Sequence, residues 1–91
     1  MSDRYVLQFT VRVYKDLNKL QNKQFVQVAK KIFSLSTDPK PQGFRHLLGY
    51  PNGYRVACGE YRILYTINED FKTVDIFRIG KRNDGEVYRN L

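Results

Sequence analysis

From residue 54 onward the chain alternates apolar and polar residues in three runs, broken by Gly59-Glu60 and by a polar stretch from Asn68 to Lys72. A period of two, filled with β-branched and aromatic residues, specifies strands over 54–58, 61–67 and 73–79. Connections this short join antiparallel neighbours. Within the runs, Val56 and Cys58 share one face against Arg55 and Ala57. Tyr61, Ile63, Tyr65 and Ile67 oppose Arg62, Leu64 and Thr66. Val74, Ile76 and Arg78 oppose Asp75, Phe77 and Ile79. A meander of three strands cannot bury its own apolar face, so the first half of the chain has to cover it.

The first half has the pattern for that. Tyr5 to Phe9 is a short β-rich run, and Thr10 is placed to cap a helix. Val13, Tyr14, Leu17 and Leu20 recur along one helical face, with Lys15, Asp16, Asn18 and Lys19 opposite. After a tight break at Gln21-Asn22, Phe25, Val26, Val28, Ala29, Ile32, Phe33 and Leu35 mark a second amphipathic helix. So short a link predicts a helical hairpin, with Leu17, Phe25 and Phe33 packed on the sheet. Ser36 to Gly43, with two prolines and a glycine, forms a loop. Residues 44–53 are irregular, and Leu47 and Leu48 are expected to tuck against the core. The layout is β-α-α-β-β-β: an α+β sandwich of two layers, helices on one face of an antiparallel sheet. It forms one domain over 1–91.

Charge narrows the partner. Sixteen Lys and Arg against nine Asp and Glu give +7 on 91 residues. That favours polyanions: RNA, DNA or an acidic protein. The single cysteine, Cys58, permits no internal disulfide and is best placed as a packed thiol in a strand. No apolar run approaches the ~18 residues of a membrane span, and Met1 to Arg4 lead into no signal region, so a cytoplasmic location is expected. One His and one Cys offer no metal-ligand spacing. The six glycines are scattered among turns rather than gathered in a phosphate loop. Glu60, Glu69, Asp70 and Glu86 fall in turns or the tail, where acids are ordinary. No cofactor is called for.

What remains is a basic and phenolic set: Tyr54, Arg55, Tyr61, Arg62, Tyr65, Arg78, Lys81, Arg82, Tyr88 and Arg89. Guanidinium groups hold phosphate oxygens in a fixed fork. Tyrosine rings stack on unpaired bases. Arg62 stands in mid-strand, so it either meets an acid, Asp75 on the neighbouring strand, or faces a ligand.

These residues carry a resemblance. The strand-turn-strand Tyr54-Arg55-Val56 to Gly59-Glu60-Tyr61-Arg62-Ile63-Leu64-Tyr65, then Ile79-Gly80-Lys81-Arg82 and Glu86-Val87-Tyr88, is similar to the RelE/ParE superfamily of bacterial toxins, and most to its RelE branch. The layout matches over nearly the whole chain. The resemblance implies a metal-independent, ribosome-dependent endoribonuclease. It would cleave mRNA in the decoding site by attack of a 2′-hydroxyl on the adjacent phosphate, and a cognate antitoxin would neutralise it. It also implies roles. Arg62 clamps the phosphate, Arg82 stabilises charge, and Tyr88 orients the nucleotide. Arg55, Lys81, Arg45 and Arg89 contact the RNA.

Three positions depart from the family pattern. Arg55 stands where a lysine is common, Ala57 where a second lysine is, and Asp84 where a further basic residue is expected. Arg55 is always charged and a poor general base, which leaves Lys81 or Tyr88 for proton transfer. The alternatives are a ParE-like DNA gyrase inhibitor without nuclease activity, and a non-catalytic module that binds RNA or antitoxin.

Overall fold

Both tight turns of the meander form as expected in the computed structural model, which describes residues 4–81. Gly59 takes φ 61° and reverses β3 (Gly53–Cys58) into β4 (Tyr61–Asn68). A second turn, with Lys72 at φ 54°, reverses β4 into β5 (Thr73–Lys81). Before them come β1 (Val6–Phe9), α1 (Val11–Asn18), α2 (Asn22–Ser34) and β2 (Arg45–His46). The sheet order is β1-β5-β4-β3-β2. The expected two-layer α+β fold is present, with both helices on one face of a five-stranded, mostly antiparallel sheet.

Two features extend that layout. β1 pairs with β5 in parallel, Val6 opposite Thr73 through Phe9 opposite Ile76, so one edge of the sheet is not antiparallel. β5 reaches β1 only after the two helices and three further strands, so no tight turn forces this pair to be antiparallel. The irregular stretch after Gly43 contains β2, with Arg45 opposite Arg55 and His46 opposite Tyr54. The turn from β2 into β3 is closed by Gly53 N–H to Tyr50 O at 2.9 Å and Leu47 N–H to Gly53 O at 2.9 Å. A Cβ on Gly53 would lie 2.5 Å from that of Tyr50, so only glycine fits there.

The helices form for local reasons. The Thr10 hydroxyl accepts from Val13 N at 3.3 Å and caps α1. α2 has no side-chain cap at Gln21 and relies on its packed face. Val13, Val28, Ile32 and Leu35 from the helical layer meet Val56, Cys58, Ile63, Tyr65, Val74, Ile76 and Ile79 from the sheet. Each such side chain, taken fully from water, contributes roughly 1.5–3 kcal/mol. Tyr65 is fully buried and its hydroxyl donates to Pro39 O at 2.8 Å. Burial, then the nearby Asp38 and Tyr54, push its pKa well above that of a free phenol. Cys58 is a packed thiol as expected, donating to Gln27 O at 3.4 Å, with its pKa raised by burial.

Several side chains lie elsewhere than the sequence pattern suggests. Leu17 packs partly against the core, but Phe25 and Phe33 are exposed, because the buried stripe of α2 runs through Val28, Ile32 and Leu35. Leu47 is buried while Leu48 points outward at 95% exposure. Asp16, expected on the solvent side of α1, is buried. β1 stops pairing at Ile76, so β5 beyond that point has lost its strand neighbour on this side. α1 takes its place: Asp16 Oδ2 accepts from Ile79 N at 2.9 Å and stands 3.8 Å from Arg78 Nε, while Oδ1 accepts from Arg12 Nε at 3.1 Å.

Candidate functional site on the open face of the sheet

The strand registers determine which basic residues share a surface. Residues directly opposed on neighbouring strands project to the same side of the sheet. Ile63 and Tyr65 face the helices, so Arg62 and Leu64 face away. Arg62 is opposed by Ala57 on β3 and by Gly80 on β5. Leu64 is opposed by Arg55 on β3, and Arg55 by Arg45 on β2. Arg45, Arg55 and Arg62 therefore lie on the face that neither described helix covers.

Arg62 sits between the two smallest residues of its row, so no neighbouring side chain screens it across either strand. The ion pair with Asp75 is absent: Asp75 opposes Thr66 and Gln8, roughly 13 Å away along β4 at the usual strand rise. Among the described residues Arg62 makes no ion pair. Its Nη1 donates only to the carbonyl of Tyr61, at 3.4 Å. A half-buried guanidinium held by one carbonyl keeps most of its donor fork for a ligand.

A second row is set by an irregularity in β5. Leu64 faces Arg78 but Tyr65 faces Ile76, so Phe77 is an extra residue, a β-bulge. Phe77 lies on the open side, where it joins Leu47, Leu64 and Tyr50 in a small apolar patch, and past the bulge the faces exchange, so Ile79, expected opposite Val74 and Ile76, joins them in the core. Tyr50 and Phe77 meet edge to face, with ring centroids 5.4 Å apart. The bulge also makes the buried Arg78 the partner of Leu64, tied to α1 through Asp16. Strict alternation grouped Arg78 with Val74 and Ile76 and could not show this. The trace of it in the sequence is Asp16 itself, three residues after Val13 on the buried face of α1.

The other expected site residues are not all brought together. Lys81 opposes Tyr61, which packs toward the helical side, and its Nζ lies 3.6 Å from Glu60 Oε1. It is thus set apart from Arg62. Arg82, Tyr88 and Arg89, with Asp84 and Glu86, lie outside the described residues. β5 ends at Lys81, one residue past Gly80, the neighbour of Arg62.

The family model described as the ParE toxin of type II toxin–antitoxin systems, parDE, matches residues 7–85. The chain belongs to this family of toxins. Among its relatives, the toxin RelG of Mycobacterium tuberculosis is 35% identical over 86 residues, covering 93% of this chain and 97% of that one. The mRNA interferase toxin RelE of Escherichia coli (strain K12) is 29% identical over 86 residues, covering 92% of this chain and 90% of that one. The solved RelBE2 toxin–antitoxin complex from M. tuberculosis holds a chain of the same fold, with a TM-score of 0.77 and 30% identity over 87% of this chain and 99% of that chain. The isolated E. coli RelE toxin aligns with a TM-score of 0.72 and 26% identity, over 96% and 99%. The resemblance seen around Gly59-Glu60-Tyr61-Arg62 is thus borne out over nearly the whole toxin. No helix among the described residues of the toxin is long and apolar enough to cross a membrane.

Proposed function

We propose that this toxin is an endoribonuclease that cleaves mRNA in the ribosomal decoding site, in the manner the resemblance implies. The observation that carries this reading is Arg62, set between Ala57 and Gly80 on the cationic sheet face that neither described helix covers. The RelE name of the relatives, an mRNA interferase in E. coli, supports it. The 2′-hydroxyl oxygen attacks the adjacent phosphorus as its proton passes to a base. The bond to the 5′-oxygen breaks, and that oxygen leaves as a hydroxyl after receiving a proton. A 2′,3′-cyclic phosphate remains. Arg62 holds the non-bridging oxygens as charge accumulates on them, and Arg82 adds a second cation from the segment that follows β5. Lys81 lies 3.6 Å from Glu60 Oε1, so we assign the proton step to Tyr88. Arg55 and Arg45 extend the cationic face for the rest of the RNA, and Arg89 adds to it from the tail.

The partner that silences such a toxin is an antitoxin, a reading the toxin–antitoxin complexes of related toxins support, and the net charge of +7 favours an acidic one. Cover over the +7 domain would neutralise its field and add stability by mass action. The parDE description of the family model favours a second reading, gyrase inhibition without RNA cleavage.

Primer extension on translated mRNA separates the two. Wild-type toxin is expected to cut within codons only when ribosomes are present. Arg62→Ala is expected to lose about 10²–10³-fold in rate, the scale of removing one donor to a developing oxyanion, and Arg82→Ala a comparable factor. Tyr88→Phe cutting at the wild-type rate would remove Tyr88 from the proton step. Gyrase-dependent DNA breaks with intact mRNA would select the second reading.

A further inference from the structure

The bulge at Phe77 decides what stands beside Arg62. Tyr65 faces Ile76 before it. Continued without the extra residue, that register would set Arg78 opposite Ile63, in the core, and Ile79 opposite Arg62. With it, Ile63 faces Ile79 and Arg62 faces Gly80. The phase of β5 over its last residues thus gives Arg62 a neighbour with no side chain instead of a branched one. Bulges re-aim residues in this way beside functional sites, and they disrupt the ladder locally, so this one needs to be held.

α1 holds it from the edge. Thr10 N–H donates to Ile76 O at 3.2 Å, just before the bulge, and the Thr10 hydroxyl donates to Phe77 O at 3.3 Å, at the bulge itself. Past it, Asp16 Oδ2 accepts from Ile79 N at 2.9 Å and stands 3.8 Å from Nε of the buried Arg78. An apolar residue at that position would leave the Ile79 N–H without its acceptor. We infer that Asp16 is a positioning residue for cleavage. Through the Ile79 N–H it keeps the end of β5 in the phase that the bulge sets, and with it the Gly80 backbone beside Arg62. Asp16 is 5% exposed and acts without touching RNA. This rests on the cleavage reading above and extends the site to a residue of α1 behind the strand edge. A shift of about 1 Å at a reacting group costs about 10²-fold in rate, so the effect of Asp16 falls on the maximal rate and not on capture of the strand.

The test uses full-length toxin made by chemical synthesis with ligation at Cys58, which spares a host cell. Single-turnover cleavage of a synthetic mRNA on programmed ribosomes gives a maximal rate and a half-saturating toxin concentration. Rates are taken at a temperature where thermal melts show every variant fully folded. Asp16→Ala removes the acceptor. Its maximal rate is expected to fall about tenfold or more, with the half-saturating concentration within about twofold of wild type. Asp16→Asn keeps an acceptor at the same length and gives up the charge, so it should melt well below wild type yet cut at close to the wild-type maximal rate. Val28→Ala, a core truncation in α2, which packs mainly on β3, supplies a destabilised toxin with the β5 edge untouched and should also keep that rate. If Asp16→Ala does not fold, an ester in place of the Ile79 amide removes the donor alone and should give the same loss. Rates that follow melting temperature across the set, or a loss confined to the half-saturating concentration, would overturn the positioning role and leave the cleavage reading in place. Wild-type toxin that leaves the mRNA intact would overturn both.

Discussion

Replacing Asp16 is expected to destabilise this toxin more than any surface change. The carboxylate is 5% exposed, accepts from two donors, Ile79 N at 2.9 Å and Arg12 Nε at 3.1 Å, and stands as a counter-charge 3.8 Å from Arg78, itself buried. Asp16→Ala leaves the Ile79 N–H without its acceptor in a buried setting, which costs about 1–3 kcal/mol. It also takes away the counter-charge of a buried guanidinium, for which losses of about 3–5 kcal/mol are typical. One carboxylate serves both, so the terms overlap, and the combined loss is about 3–4 kcal/mol. Against the roughly 5–14 kcal/mol that holds a domain this size, that is a large share. The melting temperature should fall by on the order of 20 °C. Asp16→Asn keeps an acceptor oxygen for the Ile79 N–H and gives up the charge, so it should regain about 1 kcal/mol and lose about 2–3 kcal/mol. Arg12→Ala removes a half-exposed partner and should cost under about 0.5 kcal/mol. Urea and thermal unfolding of the three variants, made in an Arg82→Ala background so that cells tolerate the protein, measure these values. An Asp16→Ala protein within about 0.5 kcal/mol of its parent would refute the idea that this carboxylate stands in for the missing strand neighbour of β5.

Two further outcomes are expected of the fold. Thr10→Ala removes the cap of α1 and should cost about 1 kcal/mol in urea unfolding, without changing where mRNA is cut. Tyr5 donates to Glu69 Oε1 at 2.6 Å. This bond first, and Lys72 and Lys40 in addition, hold the Glu69 carboxyl below its ordinary value, and the same contact raises Tyr5. A depressed carboxylate contributes stability above its unfolded pKa and loses it as pH falls through the folded value. A raised phenol contributes below its unfolded pKa and loses its contribution as pH rises through the folded one. The clasp between the start of β1 and the β4–β5 turn should therefore persist from mildly acidic to mildly alkaline pH. In Tyr5→Phe, the Glu69 carboxyl, followed by NMR titration, should move back up; an unmoved value would show that the hydroxyl is not what holds it down.

The meander from residue 53 was legible because period-two alternation and tight turns are local signals. The family motif was legible because it lies on that meander. Other features were hidden for identifiable reasons. Periodicity fixes the relative phase of side chains along α2, but Phe25 and Phe33 border the stripe that tertiary packing buries. Asp16 lies on the face of α1 that Val13 and Leu17 define, and its position pointed inward while its charge pointed outward. Position prevailed because β5 presents Ile79 N–H there. The bulge at Phe77 leaves no mark in an alternating run, and it decides the side on which Arg78 falls. The parallel pairing of β1 depends on residues far apart in sequence, which no local pattern encodes. On the candidate site, Arg55 and Arg62 share a face by simple alternation, whereas Arg45 joins them only through β2, two residues too short to announce a strand.

The pairing of β1 with β5 also has a bearing on synthesis. Val6 meets Thr73, and Phe9 meets Ile76: the earliest strand to be made waits for the last strand of the sheet. Until β5 is available, α1 has no β5 edge to cover, and Asp16 is a charge without its donors. Closure of the sheet, and with it the row of Ala57, Arg62 and Gly80, is thus a late event governed by long-range contacts, the class that folds slowly. A nascent chain of this toxin therefore carries Arg62 without its β5 neighbour until the sheet closes.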